Sequence, residues 1–153
     1  MLQSAVVAQS LGASPSVVVA ALLHDIGYFL SADSSALIEA GCNTEHEALG
    51  AAWLSRAFGE AVTAPIALHV QAKRYLCAVE PGYYAQLSVT SCRSLMAQGG
   101  VMSAAEVAAF AKDPAFEAAV LLRRCDDHGK DSEIATPPLG RFRDLLVGAL
   151  IAR

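Results

Sequence analysis

The chain has little of what usually staples a small domain or fastens it to a large partner. Cysteine occurs only at Cys42, Cys77, Cys92 and Cys125. No two of these form a Cys-x-x-Cys pair, so neither a zinc ribbon nor a disulfide scaffold is indicated, and reduced, partly buried thiols are expected. Basic residues are also scarce. Eleven Lys and Arg against fifteen Asp and Glu leave a formal charge of -4, which provides no broad positive surface for nucleic acid or anionic membrane. Although 54% of the residues are apolar, no uninterrupted run approaches the ~20 residues of a spanning helix. Met1 to Ala13 lacks the basic start and apolar centre of a secretion signal. A cytoplasmic protein with neither a nucleic-acid nor a membrane partner is the expectation.

Alternating strand patterns are nearly absent, whereas helix punctuation is frequent, so the fold class is read as all-α. With 153 residues, one domain spanning 1–153 is expected, burying roughly two-thirds of the surface of the unfolded chain. Leu2 to Ser10 reads as a short helix ended by Gly12. Ser14-Pro15 then gives a cap and a first-turn proline for the helix carrying His24-Asp25. Thr44 and Glu47 have capping-box spacing, which puts His46 in the first turn of a helix running toward Phe58 and stopped by Gly59. Thr63 to Pro65 opens a helix ended by Glu80-Pro81-Gly82. A shorter helix runs from Ser91 to Gln98 before Gly99-Gly100, and Ser103 with Glu106 repeats the capping box. Asp113-Pro114 opens a helix reaching Asp126. After Pro137-Pro138, Leu139 to Arg153 reads as a closing amphipathic helix. Trp53 is expected in the core, and Tyr75, Tyr83 and Tyr84 as packing or loop anchors.

The most telling feature is His24-Asp25, set in the apolar run from Val17 to Gly27. Imidazole and carboxylate are costly to leave unpaired in apolar surroundings, and a shared cation satisfies several at once. Asp25 has two oxygens and can bridge two cations. His24 would serve one and the downstream His46 and His69 the other, while Asp126 or its neighbour Asp127 could reach the first. Such ligands, without cysteine, suit iron, manganese, cobalt, nickel or zinc. The plain alternative is a set of satisfied core or surface histidines, and His128, in a polar loop, is read that way. Lys73 lies four residues beyond His69, and Arg123 three before Asp126, so each shares a helix face with a candidate ligand. A solvated face with surface ion pairs is the plain reading of both.

Through AALLHDIG at Ala20–Gly27, EHEALGAAWL at Glu45–Leu54, His69 and Asp126, the chain resembles the HD-domain superfamily, a family of helical bundles. HVQAKRYLCAVEPGYYAQLS from His69 to Ser88, QGGVMSAAEVAAF from Gln98 to Phe110 and LRRCDD from Leu122 to Asp127 extend this. They make it similar to the mixed-valence di-iron oxygenases, with the PhnZ-like organophosphonate oxygenases as the nearest branch and myo-inositol oxygenase as a more distant relative. The resemblance implies a first iron on His24, Asp25 and Asp126 and a second on Asp25, His46 and His69. It also implies a phosphonate cradle of Lys73 and Arg123, completed by Ser91 and Gln98, and oxidative cleavage of the carbon–phosphorus bond of a hydroxylated organophosphonate. Hydrolysis of a phosphate ester is the rival expectation, and a non-catalytic metal-binding or interaction module is the third.

Two departures qualify that expectation. Tyr28 stands where HD proteins often carry a second histidine. The family's upstream ligand histidine, with a gating tyrosine and glutamate, would precede Met1, and no histidine precedes His24. The bundle is therefore read as N-terminally shortened, with an impaired first site and one ion rather than two. The apolar surface a leading helix would cover is expected to drive homodimer formation.

Overall fold

Ser14 accepts a hydrogen bond from the Val17 amide at 3.4 Å, and Pro15 takes the first helical position of α2 (Pro15–Leu23). Proline lacks only an amide that would be unpaired there, so the helix starts where the sequence indicates. A computed structural model describes residues 1–31, 34–131 and 133–151. Before α2 comes α1 (Leu2–Ser10). After it come a 3-10 turn (Ile26–Phe29), α3 (Ser34–Glu39), α4 (His46–Leu54) and α5 (Glu60–Val79). The short α6 (Tyr83–Gln86) is followed by α7 (Val89–Ala97), α8 (Ala104–Phe110), α9 (Phe116–His128), a second 3-10 turn (Leu139–Phe142) and α10 (Arg143–Gly148). The all-α expectation holds: the described residues contain one isolated bridge, Phe58 with Leu150, and no strand.

Val17 to Leu22 are all buried, which makes α2 the central rod of the bundle. A helix apolar on every side is stable only when enclosed, and α1, α5 and α9 pack on it. Its core partners include Leu54, Ile66, Leu122 and Phe142. Burying each such side chain contributes about 1.5–3 kcal/mol. A second cluster gathers Ala72, Met102, Phe110 and Ala119. Beside it Tyr75, Phe110 and Phe116 meet edge to face at 5.0–5.6 Å. Gln3 ties α1 to the loop after α9, accepting from the Asp131 amide at 3.0 Å and donating to the Ile134 carbonyl at 2.9 Å.

Several boundaries differ from expectation, each for a physical reason. The helix of the HD dipeptide stops at Leu23, leaving His24 as its C-cap and Asp25 at the head of the 3-10 turn. Gly59 does not stop α4; it is the N-cap of α5, which therefore begins ahead of Thr63 and holds Pro65 in its interior. An interior proline costs about 3 kcal/mol. Tertiary packing offsets it, since Val62, Pro65 and Ile66 are all buried in this turn. Asp113 forms a turn, its Oδ1 accepting from the Ala115 amide at 2.8 Å, so α9 starts at Phe116. The closing helix is a 3-10 turn plus the short α10, and Leu150 leaves the helix to bridge Phe58; the last part of the expected span, 152–153, lies outside the described residues. Trp53 is 47% exposed, because it lies on the outer face of α4, whose inner face buries Gly50 and Leu54.

Candidate metal centre

In a continuous helix, adjacent side chains diverge by roughly 100°. The break after Leu23 removes that constraint, and His24 and Asp25 turn toward the same space: His24 Nε2 is 3.3 Å from Asp25 Oδ2. From α9, Asp126 brings Oδ1 to 3.3 Å from the same nitrogen. On the other side of Asp25, Oδ1 lies 3.6 Å from His46 Nε2 at the start of α4. His69, from the middle of α5, places its Nε2 3.2 Å from that of His46. Among the described residues, two donor groups result, Asp25–His46–His69 and His24–Asp25–Asp126, sharing Asp25. These are the two sets anticipated above.

The protonation pattern of the imidazoles fits a cation. His24 Nδ1 lies 2.9 Å from the Ala21 carbonyl and His69 Nδ1 2.7 Å from that of Ile66. A carbonyl only accepts, so both Nδ1 atoms carry a hydrogen and both Nε2 atoms face inward, open to a proton or a cation. His24 Nε2 is buried with no hydrogen-bond partner. Two carboxylate oxygens and a lone pair facing one another in a water-poor space are unfavourable unless something positive lies between them.

Electrostatics agree. Burial lowers the His46 pKa to about 4 and that of His69 to about 3, so both rings are neutral at pH 7. Burial also disfavours charge on His24, but the flanking Asp126 and Asp25 outweigh it and raise its pKa to about 9, so at pH 7 a proton on Nε2 takes the place between the two carboxylates that a bound cation would fill. For Asp25, burial is outweighed by His24, and the pKa falls to about 2. Asp126 is likewise held well below the usual carboxylate range, against burial, by His24, Arg123 and Lys130.

The candidate anion residues fall into two groups. Lys73, 3% exposed, donates to Ser94 Oγ at 2.8 Å and Gln98 Oε1 at 2.5 Å. Burial, then the nearby charges of Arg123 and Lys130, lower its pKa to about 8. Ser91 is buried but stands one step back: its carbonyl accepts from Ser94 Oγ at 3.1 Å. Arg123 is clasped by carboxylates, with Nη1 3.0 Å from Asp126 Oδ2 and Nη2 on Asp127 Oδ1, while its Nε donates to the Tyr83 hydroxyl at 3.1 Å. Ser94 and Lys130 were not singled out by sequence. Ser94 is one turn before Gln98, and Lys130, one turn beyond Asp126, puts Nζ 3.0 Å from Asp126 Oδ2. His128 is the last residue of α9 rather than part of a loop, its Nδ1 2.8 Å from the Arg124 carbonyl one turn back. Tyr84 is exposed, whereas Tyr83 is buried and Tyr75 packs in the aromatic trio.

The family described as HD domain matches residues 1–79, a span that includes His24, Asp25, His46 and His69. The chain belongs to the HD-domain family. Within it, the chain is 45% identical over 145 residues to the hydroxymethylphosphonate dioxygenase of Gimesia maris, covering 92% of this chain and 71% of that protein. It is 39% identical over 146 residues to the 1-hydroxy-2-(trimethylamino)ethylphosphonate dioxygenase (glycine-betaine-forming) of Leisingera caerulea, covering 95% and 74%. An uncharacterised protein of Acanthamoeba polyphaga mimivirus is 31% identical over 149 residues, covering 96% and 68%. This HD-domain chain thus groups with phosphonate dioxygenases over most of its length. None of its described helices is long and apolar enough to cross a membrane.

Proposed function

We propose that this chain is an iron-dependent oxygenase that cleaves the carbon–phosphorus bond of a small hydroxylated organophosphonate. The observation that carries the reading is the pair of donor sets sharing Asp25, with the buried Lys73 one helical turn from His69. Relatives named as dioxygenases of hydroxylated phosphonates support the substrate class.

His24, Asp25 and Asp126 would hold one ion and Asp25, His46 and His69 the other, with other divalent transition metals able to occupy the same ligands. Bound iron would supply dioxygen activation and redox chemistry that no side chain here possesses. Lys73 offsets the charge of the phosphonate, and Ser94 and Gln98 aim its ammonium. Arg123 and Lys130 neutralise Asp126 Oδ2, so Oδ1 is the oxygen left to face the site. Arg123, Ser91 and Gln98 are proposed with Lys73 as the phosphonate cradle, Arg123 adding positive potential while it stays paired. In the net reaction, one dioxygen is consumed per substrate. The carbinol carbon leaves as a carboxylic acid and the phosphorus as phosphate, which balances without an added reductant.

Oxygen uptake and phosphate release, measured together on protein loaded anaerobically with iron, test the proposal using hydroxymethylphosphonate. Equal amounts of oxygen consumed and phosphate formed are expected. Phosphate release from esters without oxygen uptake would establish the phosphohydrolase reading, and neither activity in a folded, iron-loaded protein would favour a non-catalytic module.

We also propose a homodimer in the cytoplasm. Exposed Phe29, Leu49 and Trp53, on the 3-10 turn and the helix packed against it, support self-association, and the free thiols suit a reducing compartment. A monomer independent of concentration in light scattering would exclude the dimer.

A further inference from the structure

Thr44 and Glu47 have the spacing of a capping box, yet they do not cap α4. Its N-cap is Glu45, at φ 50° and ψ 28°, without a side-chain cap hydrogen bond. Glu45 is the one non-glycine residue with positive φ among the described residues. A left-handed non-glycine residue costs about 1–3 kcal/mol, and a forgone cap about 1 kcal/mol. Both local preferences are sacrificed at the residue before a candidate ligand.

The displaced side chains converge on His46. Thr44 Oγ1 lies 3.1 Å from His46 Nδ1, and Glu47 Oε2 lies 3.3 Å from the same atom. Thr44 is 8% exposed, and Glu47 Oε2 is buried with no hydrogen-bond partner, so it acts on Nδ1 as a neighbouring charge while Thr44 makes the hydrogen bond. Tyr28 stacks on the ring at 4.0 Å and 11°, fixing its plane. His24 and His69 each use the carbonyl three residues earlier, in their own helix, as the Nδ1 acceptor. His46 begins its helix, so no preceding turn offers such a carbonyl. Side chains must take its place.

We propose that Thr44 and Glu47 are positioning residues that hold His46 as the Nδ1–H tautomer, so that Nε2 presents a lone pair to the cation shared with Asp25 and His69. The inference rests on the metal reading above. Without these two oxygens beside Nδ1, the hydrogen can move to Nε2, where it donates to the lone pair of His69 Nε2, 3.2 Å away, and blocks the ligand position. Histidine ligands depend on such outer contacts for tautomer and orientation.

Two measurements on the full chain test this. Long-range 1H–15N correlation spectra of the metal-free protein read the His46 tautomer directly; Nδ1–H is expected, and an Nε2–H tautomer would overturn the proposal whether or not the protein is an oxygenase. Chelator competition with Zn(II) then compares variants. Thr44→Val and Glu47→Gln should each weaken one of the bound ions by about 10–100-fold, and Thr44→Ser should restore wild-type affinity. Unchanged affinity in Thr44→Val, or a Thr44→Ser variant as weak as Thr44→Val, would overturn it. A wild-type protein with the expected tautomer but no metal affinity would sink the metal reading and leave the tautomer assignment standing.

Discussion

Gly27 lies so close to His46 that a β-carbon on it would sit 1.9 Å from the His46 carbonyl oxygen. Gly50, one helical turn along α4, repeats the close approach, a β-carbon there meeting the Gly27 amide nitrogen at 3.2 Å. This seam sets the separation between Asp25 and His46. Gly27→Ala should therefore push the 3-10 turn off α4, destabilising the fold by about 1–3 kcal/mol and weakening the ion that Asp25 and His46 share. Thermal unfolding without metal and metal titration measure the two effects. Wild-type values in both would mean that the seam adapts.

Metal counting should distinguish the donor sets. Arg123 and Lys130 place two positive charges beside Asp126, which disfavours a dication nearby, whereas His46 and His69 are neutral. The Asp25–His46–His69 set should fill first. On titration with iron under anaerobic conditions, His46→Ala should remove the tight ion, Asp126→Ala the weak one, and Asp25→Ala both. Loss of the tight ion in Asp126→Ala would reverse the order. The single-ion expectation becomes a matter of how weak the second step is.

Lys73 gives a pH dependence. Its pKa of about 8 means the ammonium is present below that pH and lost above it. The kcat/KM for a phosphonate dianion should fall as pH rises through about 8. Lys73→Met should lower kcat/KM roughly 10–100-fold at pH 7, in keeping with the loss of a charge-assisted hydrogen bond of ~1.5–3 kcal/mol, and abolish that limb. Persistence of the limb in the variant would assign it to another group.

A second pH effect lies away from the site. The Ser103 amide donates to Glu106 Oε2 at 2.8 Å, and Arg74 donates to Oε1 at 2.6 Å. The Ser103 amide first, then Arg74 and the Ser103 hydroxyl, lower the Glu106 pKa from 4.5 to about 2. The carboxylate's contribution to stability is thus complete above pH about 4.5 and fades as pH falls toward 2. The Tm difference between wild type and Glu106→Gln should narrow below pH about 4.5; a constant difference would count against it.

The legible parts of the fold were those governed by local chemistry. Ser14-Pro15 and the reciprocal Ser103–Glu106 box start helices where their side chains meet nearby amides. Thr44 and Glu47 match the same pattern, but a histidine claims them, and that competition is tertiary. Pro65 marks a helix start by propensity, yet packing extends α5 backward past it. Trp53 reads as core by hydrophobicity, although its face of α4 meets solvent. The short α3 and α6 lack the length for a periodic signal. In the site, His24, Asp25, His46 and His69 stood out because polar residues in apolar surroundings need partners, whereas only the family resemblance separated Asp126 from Asp127. Ser94 was not, since a lone serine on a helix is ordinary until Lys73 is placed against it.

The helix break at His24 also determines how the chain would come apart. The five candidate ligands come from four pieces of backbone, from the end of α2 to the last turn of α9, so an ion bound among them acts as a cross-link between distant parts of the sequence. A ligand bound only by the folded chain adds stability of about 4 kcal/mol when present at a thousand times its dissociation constant. Resistance to proteolysis would then report the metal content of the protein directly, and stripping the metal would loosen the bundle first where α2 gives way to its 3-10 turn.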